Sequence, residues 1–277
     1  MSENQIGLLY LVGTPIGNLE DITLRAIRTL TQVDLIAAED TRRTGKLLQH
    51  LQITTPQISY HEHSSTSRIN ELLERLQQGN NIALVTDAGM PSISDPGVKL
   101  VQAAIALSIK VIPIPGGTAA ISALAASGLP TDKFVFEGFL PLKEKERQGR
   151  LELLHSETRT VVLYEAPHRL LRTLTDLTTA IGEEREIVLA RELTKIHEEF
   201  WRGKLSNAIA LYTKRQPKGE YTVLIRGAAN TNLNMSADEL KVELKQLLDK
   251  GMTRSQASRQ LAKSTTLSRR EIYQLDL

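Results

Sequence analysis

The sequence predicts an α/β protein: two successive α/β domains, over residues 1–116 and 117–228, and a small helical module over 236–277. Three observations carry that prediction. Short apolar runs alternate with stretches of helical periodicity from residue 7 to residue 227, the pattern of strands joined by crossover helices. The runs are almost continuously apolar in the first half, as in parallel strands covered on both faces. In the second half several alternate apolar with polar, as in a mixed or partly antiparallel sheet. A polar, turn-rich linker, AANTNLNMS at 228–236, then leads into short segments that each open with helix-capping residues.

In the first domain the strands fall at 7–12 (GLLYLV), 33–38 (VDLIAA), 81–86 (NIALVT) and 110–114 (KVIPI), with helices at 22–31, 41–51, 65–78 and 95–107. In the second the strands fall at 133–139, 160–166, 186–193 and 220–227, with helices at 118–126, 145–155, 167–180 and 204–213. Three capping boxes mark the tail: Ser236-x-x-Glu239, Thr253-x-x-Gln256 and Ser268-x-x-Glu271. Leu240, Leu244, Leu247 and Leu248 share one face of the first tail helix, and Gly251 turns the chain before the second. The outline is that of a helix-turn-helix.

Composition sets broad limits. The 277 residues are 41% hydrophobic and 24% charged, and only 4% are aromatic, so aliphatic side chains must build the cores. There is no cysteine, which rules out disulfides and thiolate catalysis. No apolar run approaches the ~18 residues of a membrane span, and MSENQIG lacks the basic and apolar regions of a leader. The expectation is a cytoplasmic protein. His61 and His63 in YHEHSS have metal-like spacing without an evident third ligand, so no metal is expected.

Four glycine- or proline-rich loops stand out: GTPIGN (13–18), DAGMPSISDPG (87–97), PGGTAA (115–120) and YEAPHR (164–169). The first three directly follow strands. In an open α/β sheet the carboxyl ends of the strands hold the ligand, so these loops should gather at one edge and offer backbone N–H and C=O groups. Neither G-x-G-x-x-G nor G-x-x-x-x-G-K-[ST] occurs, and Pro15 stands where a dinucleotide loop would need glycine. Small neutral residues suit a ligand held by backbone and van der Waals contacts rather than by its phosphates.

These loops, with AAEDTRRT (37–44) and ARELTKIHEEFWRG (190–203) and in this order, resemble the tetrapyrrole (precorrin-like) methylase superfamily, and within it the branch that methylates small-subunit ribosomal RNA. The resemblance spans about 5–227 and continues loosely through the tail. It implies two α/β domains flanking a cofactor cleft, with S-adenosylmethionine bound between them. It further implies methyl transfer to the 2′-hydroxyl of a cytidine in the decoding region of 16S rRNA, within a 30S subunit or free RNA, by a homodimer. The cofactor-site residues it suggests are Pro15, Gly17, Met90, Ile93, Gly116, Gly117, Tyr164, Ala190 and Thr222. Cobalamin-pathway relatives carry Gly-Asp-Pro where this chain has Gly89-Met90-Pro91, so Met90 is expected to offer backbone only.

Methyl transfer from an activated donor is largely a matter of positioning, but a ribose hydroxyl gains from a proton acceptor. Candidates for the chemistry are Asp40, Glu165, His168, Arg191 and Lys195. Asp40 reads first as a helix N-cap, the commonest role for an aspartate in that position. The stretch around Arg191 and Lys195 reads equally as a charged strand with internal ion pairs. Candidates for RNA contact are Arg42, Arg43, Lys143, Arg169, Arg254, Arg259, Lys263, Arg269 and Arg270. Residues 250–270 hold six basic residues and no acid, against a net charge of +2 for the chain, which favours a polyanion over a tetrapyrrole substrate. Tyr60, Tyr164 and Trp201 are the aromatic residues available for base stacking. A small-molecule methylase and a non-catalytic RNA-binding protein remain as alternatives.

Overall fold

A computed structural model of the protein describes residues 6–229, 237–265 and 267–275, apart from the side chains of Ala237, Lys263 and Ser264. Two compact units result: residues 1–155 with 159–226, and residues 156–158 with 227–277.

The larger unit contains two five-stranded sheets. In the first, β1 (Leu9–Val12), β2 (Leu35–Ala38), β3 (Gln57–Ser59), β4 (Ile82–Val85) and β5 (Val111–Ile114) run parallel in the order β3-β2-β4-β1-β5. Side chains alternate between faces along each strand. Leu9, Leu35, Ala37, Ile82 and Leu84 therefore meet α3 (Thr66–Gln77) and α4 (Val98–Ala106) on one side. Val12, Ile36, Ala38, Ala83 and Val85 meet α1 (Leu24–Gln32) and α2 (Thr41–His50) on the other. Coverage of both faces explains why these strands read as uninterrupted apolar runs. Pro113 is tolerated because β5 is an edge strand and loses no ladder bond on its open side. The three-residue edge strand β3 was not expected; it is too short and polar to show a period.

The second sheet is mixed, as its alternating strands suggest. Its order is β6-β7-β10-β8-β9, from β6 (Phe134–Phe139), β7 (Thr160–Glu165), β8 (Glu186–Arg191), β9 (Glu199–Lys204) and β10 (Tyr221–Ile225). Only β6 and β7 pair in parallel; the remaining pairs are antiparallel. On one face lie α6 (Glu144–His155), α7 (Pro167–Ile181) and α8 (Leu205–Lys214), around Val161, Leu163, Leu189 and Val223. On the other lies α5 (Ala119–Ser127), whose Ala120, Ala123 and Leu124 pack on Val162, Val188 and Leu224.

Most element ends shift by one or two residues from the sequence reading, and two of the shifts have a clear backbone cause. Helix α4 starts at Val98 rather than at 95, because Ser92, Ser94 and Gly97 all take positive φ. The β8 strand ends at Arg191 rather than at 193, because Glu192 and Thr194 take φ of 50° and 64° and turn the chain into β9. A fifth strand of the second half, EFWRGK, was not expected: it is a charged strand at the sheet edge.

The smaller unit packs α9 (Ala237–Asp249), α10 (Arg254–Ser264) and α11 (Arg269–Tyr273) around Leu240, Leu244, Leu247, Ala257, Leu261 and Ile272. Both halves of the capping box are present at Thr253/Gln256 and at Ser268/Glu271. Ser236, the first expected cap, and most of the expected linker lie outside the described residues.

Candidate active site

Strands β4, β1 and β5 are neighbours, so the loops that leave their carboxyl ends converge. Thr14 and Gly89 exchange backbone hydrogen bonds of 2.9 and 3.1 Å, and the Thr14 hydroxyl donates to the Thr86 carbonyl at 3.1 Å. A Cβ added to Gly13 would stand 2.7 Å from Gly116 Cα, and one added to Gly116 would stand 2.8 Å from the Gly13 backbone. The two glycines are therefore needed for the loops to touch. Gly17 plays the same part toward the second sheet: a Cβ there would stand 2.5 Å from Lys195 Cγ.

Between these loops and the second sheet lies a cavity of about 420 Å³, within the roughly 300–1,000 Å³ of small-molecule sites. One wall carries Ile16, Gly89, Met90, Ile93, Asp95, Thr118 and Ala119; the other carries Phe139, Tyr164 to His168, Ala190, Lys195 and Glu220 to Thr222. The Ala120 N–H donates to the Tyr164 hydroxyl at 3.1 Å, which ties α5 to the second sheet at the cavity wall.

Of the suggested cofactor residues, Met90, Ile93, Tyr164, Ala190 and Thr222 line the cavity. Pro15, Gly17 and Gly117 do not line it but flank Ile16 and Thr118, which do; Gly116 lies one residue further back, against Gly13. Of the suggested chemical residues, Glu165, His168 and Lys195 line it, whereas Asp40 and Arg191 do not. Asp40 caps α2, accepting from the Arg42 N–H at 2.9 Å and from its guanidinium, which holds the Asp40 carboxyl well below the usual range. Arg191 pairs with Glu199 at 3.4 Å.

Glu165 is 2% exposed and fully partnered. The Thr173 hydroxyl donates to it at 2.5 Å and the Ala166 N–H at 2.9 Å, and Arg169 lies 3.3 Å away. Behind it, the buried Arg147 donates to Thr173 at 2.8 Å and pairs with Asp176 at 2.7 Å. This network fixes the start of α7, where exposed His168 faces the cavity. Lys195 bridges Glu192 and Glu220 at 2.9 and 2.7 Å. Burial works against its charge, but the hydrogen bonds it donates to those carboxylates prevail and raise its pKa. Lys195 therefore serves as a cation and not as a base. Residues 191–199 thus form the ion-paired strand and turn that was one of the two sequence readings.

Sequence reasoning passed over Asp95, although it stands inside a quoted loop. Burial first, then the carboxylates of Glu39 and Asp87, push its carboxyl up to about 7. The same crowding raises Glu39, for which burial outweighs the hydrogen bond donated by the Asp87 N–H at 3.1 Å. A half-buried carboxyl held among like charges favours a cation in the cavity. Phe139, also passed over, lines the cavity while half-exposed.

The basic candidates divide. Arg42, Arg43 and Lys143 are exposed and pair with Asp40, Asp87 and Glu146. Arg169 is turned inward, donating to the Leu140 carbonyl at 2.6 Å. In the smaller unit, Arg254 donates to the Tyr273 and Leu275 carbonyls and Arg269 to the Ser255 hydroxyl. Arg259 and Arg270 are exposed, and the Lys263 side chain lies outside the described residues. Of the aromatic candidates, Tyr60 is buried and Trp201 packs against the core of the second sheet; Tyr164 alone lines the cavity. His61 and His63 stand with ring centroids 6.4 Å apart in a loop beside a second cavity of about 360 Å³.

Residues 8–209 match the family of tetrapyrrole (corrin/porphyrin) methylases. The chain belongs to the tetrapyrrole methylase family. Among curated relatives of this methylase, a ribosomal RNA small subunit methyltransferase I from Synechocystis sp. is 62% identical over 273 residues, 98% of each chain. One from Bacillus subtilis is 43% identical over 98% of this chain and 94% of its own. Solved methyltransferases share the fold. The methyltransferase CobJ superposes with a TM-score of 0.62 at 20% identity, covering 80% of this chain and 95% of its own. A uroporphyrin-III C-methyltransferase from Thermus thermophilus, complexed with S-adenosyl homocysteine, gives 0.56 at 18%, covering 79% and 97%.

Proposed function

We propose that this methylase transfers the methyl group of S-adenosylmethionine to the ribose 2′-hydroxyl of a cytidine in the decoding region of 16S rRNA. The observation that carries the reading is near full-length identity of 43–62% to relatives named as methyltransferases of the small-subunit ribosomal RNA. The site agrees with it in chemistry. S-adenosylmethionine, when bound, supplies an electrophilic methyl on a sulfonium cation. The residues that would hold it are the backbone edges at Gly89, Met90, Thr118 and Ala119 and the walls at Ile16, Ala190 and Thr222, with Asp95 as the anionic group. No phosphate cradle is needed, which agrees with Pro15 in the first loop.

The chain's own groups then have separate tasks. Glu165, saturated by Thr173, Ala166 and Arg169, holds the start of α7 rather than moving protons. His168, exposed on the cavity wall, accepts the proton of the ribose hydroxyl. Lys195, held between two carboxylates, keeps the β8–β9 turn against Gly17. Arg259 and Arg270, with Lys143 and Arg43, supply phosphate contacts. On the same reading the enzyme works in the cytoplasm as a homodimer on the 30S subunit or its RNA.

The test is transfer from labelled S-adenosylmethionine to small subunits that lack modification, with the product nucleoside identified. Formation of 2′-O-methylcytidine is the expected result. Transfer to a tetrapyrrole with none to the subunit would overturn the reading.

A further inference from the structure

Strand β6 carries a bulge. The register with β7 runs Phe136↔Val162 and then Gly138↔Leu163, so Glu137 is an extra residue. In a regular strand, residues three apart face opposite sides. Here the bulge returns Phe139 to the side of Phe136, and both rings reach Tyr164, with centroids 5.6 and 5.0 Å away. Bulges of this kind re-aim a side chain beside a site. The position depends on Gly138, whose φ is +63° and where a Cβ would stand 2.8 Å from Ser94 Oγ. The end of β6 therefore closes directly on the 93–94 segment of the opposite wall.

The two rings then part company. Phe136 packs into the core beneath the sheet. Phe139 lines the cavity yet is 51% exposed, and Ile93, on the segment that Gly138 touches, is 49% exposed and lines it too. Two large apolar side chains, one from each wall and each beside a residue of the Gly138–Ser94 approach, thus stand half in solvent on the cavity. A methyl acceptor that is part of an RNA must bring its ribose to this recess, and a nucleotide that enters from a single-stranded or splayed-out segment brings an unstacked base with it. An unstacked base is held chiefly by a flat aromatic surface.

We infer that Phe139 is the stacking surface for the base of the nucleotide to be methylated, with Ile93 closing on the base's other face. The inference rests on the proposed function and names a substrate-positioning residue for it. The bulge is then the device that turns an edge-strand phenylalanine from the face covered by α6, α7 and α8 to the acceptor side of the cavity.

The experiment compares Phe139→Ala, Phe139→Leu and Phe139→Tyr for kcat and KM on unmodified small subunits, alongside calorimetric affinity for S-adenosylhomocysteine. Loss of one stacked base lowers kcat/KM about ten- to a hundred-fold in the Ala variant, mostly through KM. The Leu variant, apolar but without a ring face, stays low, and Tyr restores most of the activity. S-adenosylhomocysteine affinity stays within about twofold throughout, which also reports an intact fold. The inference is overturned if the Leu variant works within twofold of the unmutated enzyme, or if cofactor-product affinity falls in parallel with kcat/KM. No transfer to subunits by the unmutated protein would overturn the functional reading itself, and this inference with it.

Discussion

Asp95 makes cofactor affinity depend on pH in a direction the structure fixes. Its carboxyl titrates at about 7 because it is buried and because Glu39 and Asp87 crowd it. A cationic ligand in the cavity favours the ionised form. Binding at pH 6 must therefore first expel a proton from a group that is about nine-tenths protonated, whereas at pH 8 it is about nine-tenths ionised. The expected consequence is an affinity for S-adenosylmethionine about tenfold weaker at pH 6 than at pH 8, with close to one proton released per site at the lower pH. Isothermal titration in two buffers of different ionisation enthalpy reads both quantities. The ligand's own amino group titrates near the top of this range, at roughly 8, and Asp95→Asn removes only the protein's share. Stability follows the same linkage. The folded pKa lies above the unfolded 3.8, so the folded state holds the extra proton between about pH 4 and 7, and stability falls as pH rises through that window. The ceiling is about 4 kcal/mol, lowered by the partial exposure of the group. Asp95→Asn should flatten this slope as well. An affinity in the unmutated protein that is level from pH 6 to 8, with no buffer-dependent heat, would refute the assignment of Asp95 to the cation.

Three further outcomes follow from the geometry. Gly116→Ala places a methyl 2.8 Å from the Gly13 backbone; overpacking costs of about 1–3 kcal/mol are expected, with weaker cofactor binding, and unchanged calorimetric affinity would show that the loops need not touch. Arg147→Met leaves Asp176 and Thr173 without their buried partner, which should cost about 3–5 kcal/mol and lower Tm by about 6–20 °C; a scanning-calorimetry shift under 3 °C would argue that the network is dispensable. His168→Ala should lower kcat by about 10²–10⁴-fold while S-adenosylhomocysteine affinity holds; equal losses in both would move His168 from the acceptor to the cofactor wall.

The legible parts of this fold were those whose cause is local. Parallel strands buried on both faces announce themselves as apolar runs, and the loops after β1, β4 and β5 carry glycines because their backbones must pass within van der Waals contact. Capping boxes at Thr253 and Ser268 are likewise four-residue events. What the sequence hid has long-range causes. Strands β3 and β9 lie at sheet edges, where half the backbone is free and charged residues are tolerated, so no hydrophobic period marks them. The raised carboxyl of Asp95 needs burial and Glu39, which arrives from the loop after β2 and is brought beside the 87–97 loop by the pairing of β2 with β4. Phe139 is the sharpest instance. Read by alternation, FVFEGF puts Phe134 and Phe136 on one face and Phe139 on the other, and a single unpaired residue reverses that. The bulge was partly legible after the fact, since Gly138 interrupts a strand that otherwise has no use for glycine. Its consequence was not, because which face a cavity occupies is decided by the opposite sheet, through the contact between Gly138 and Ser94. Residues that hold the fold are thus written in short patterns, while those that select a substrate are set by where two separately legible sheets come together.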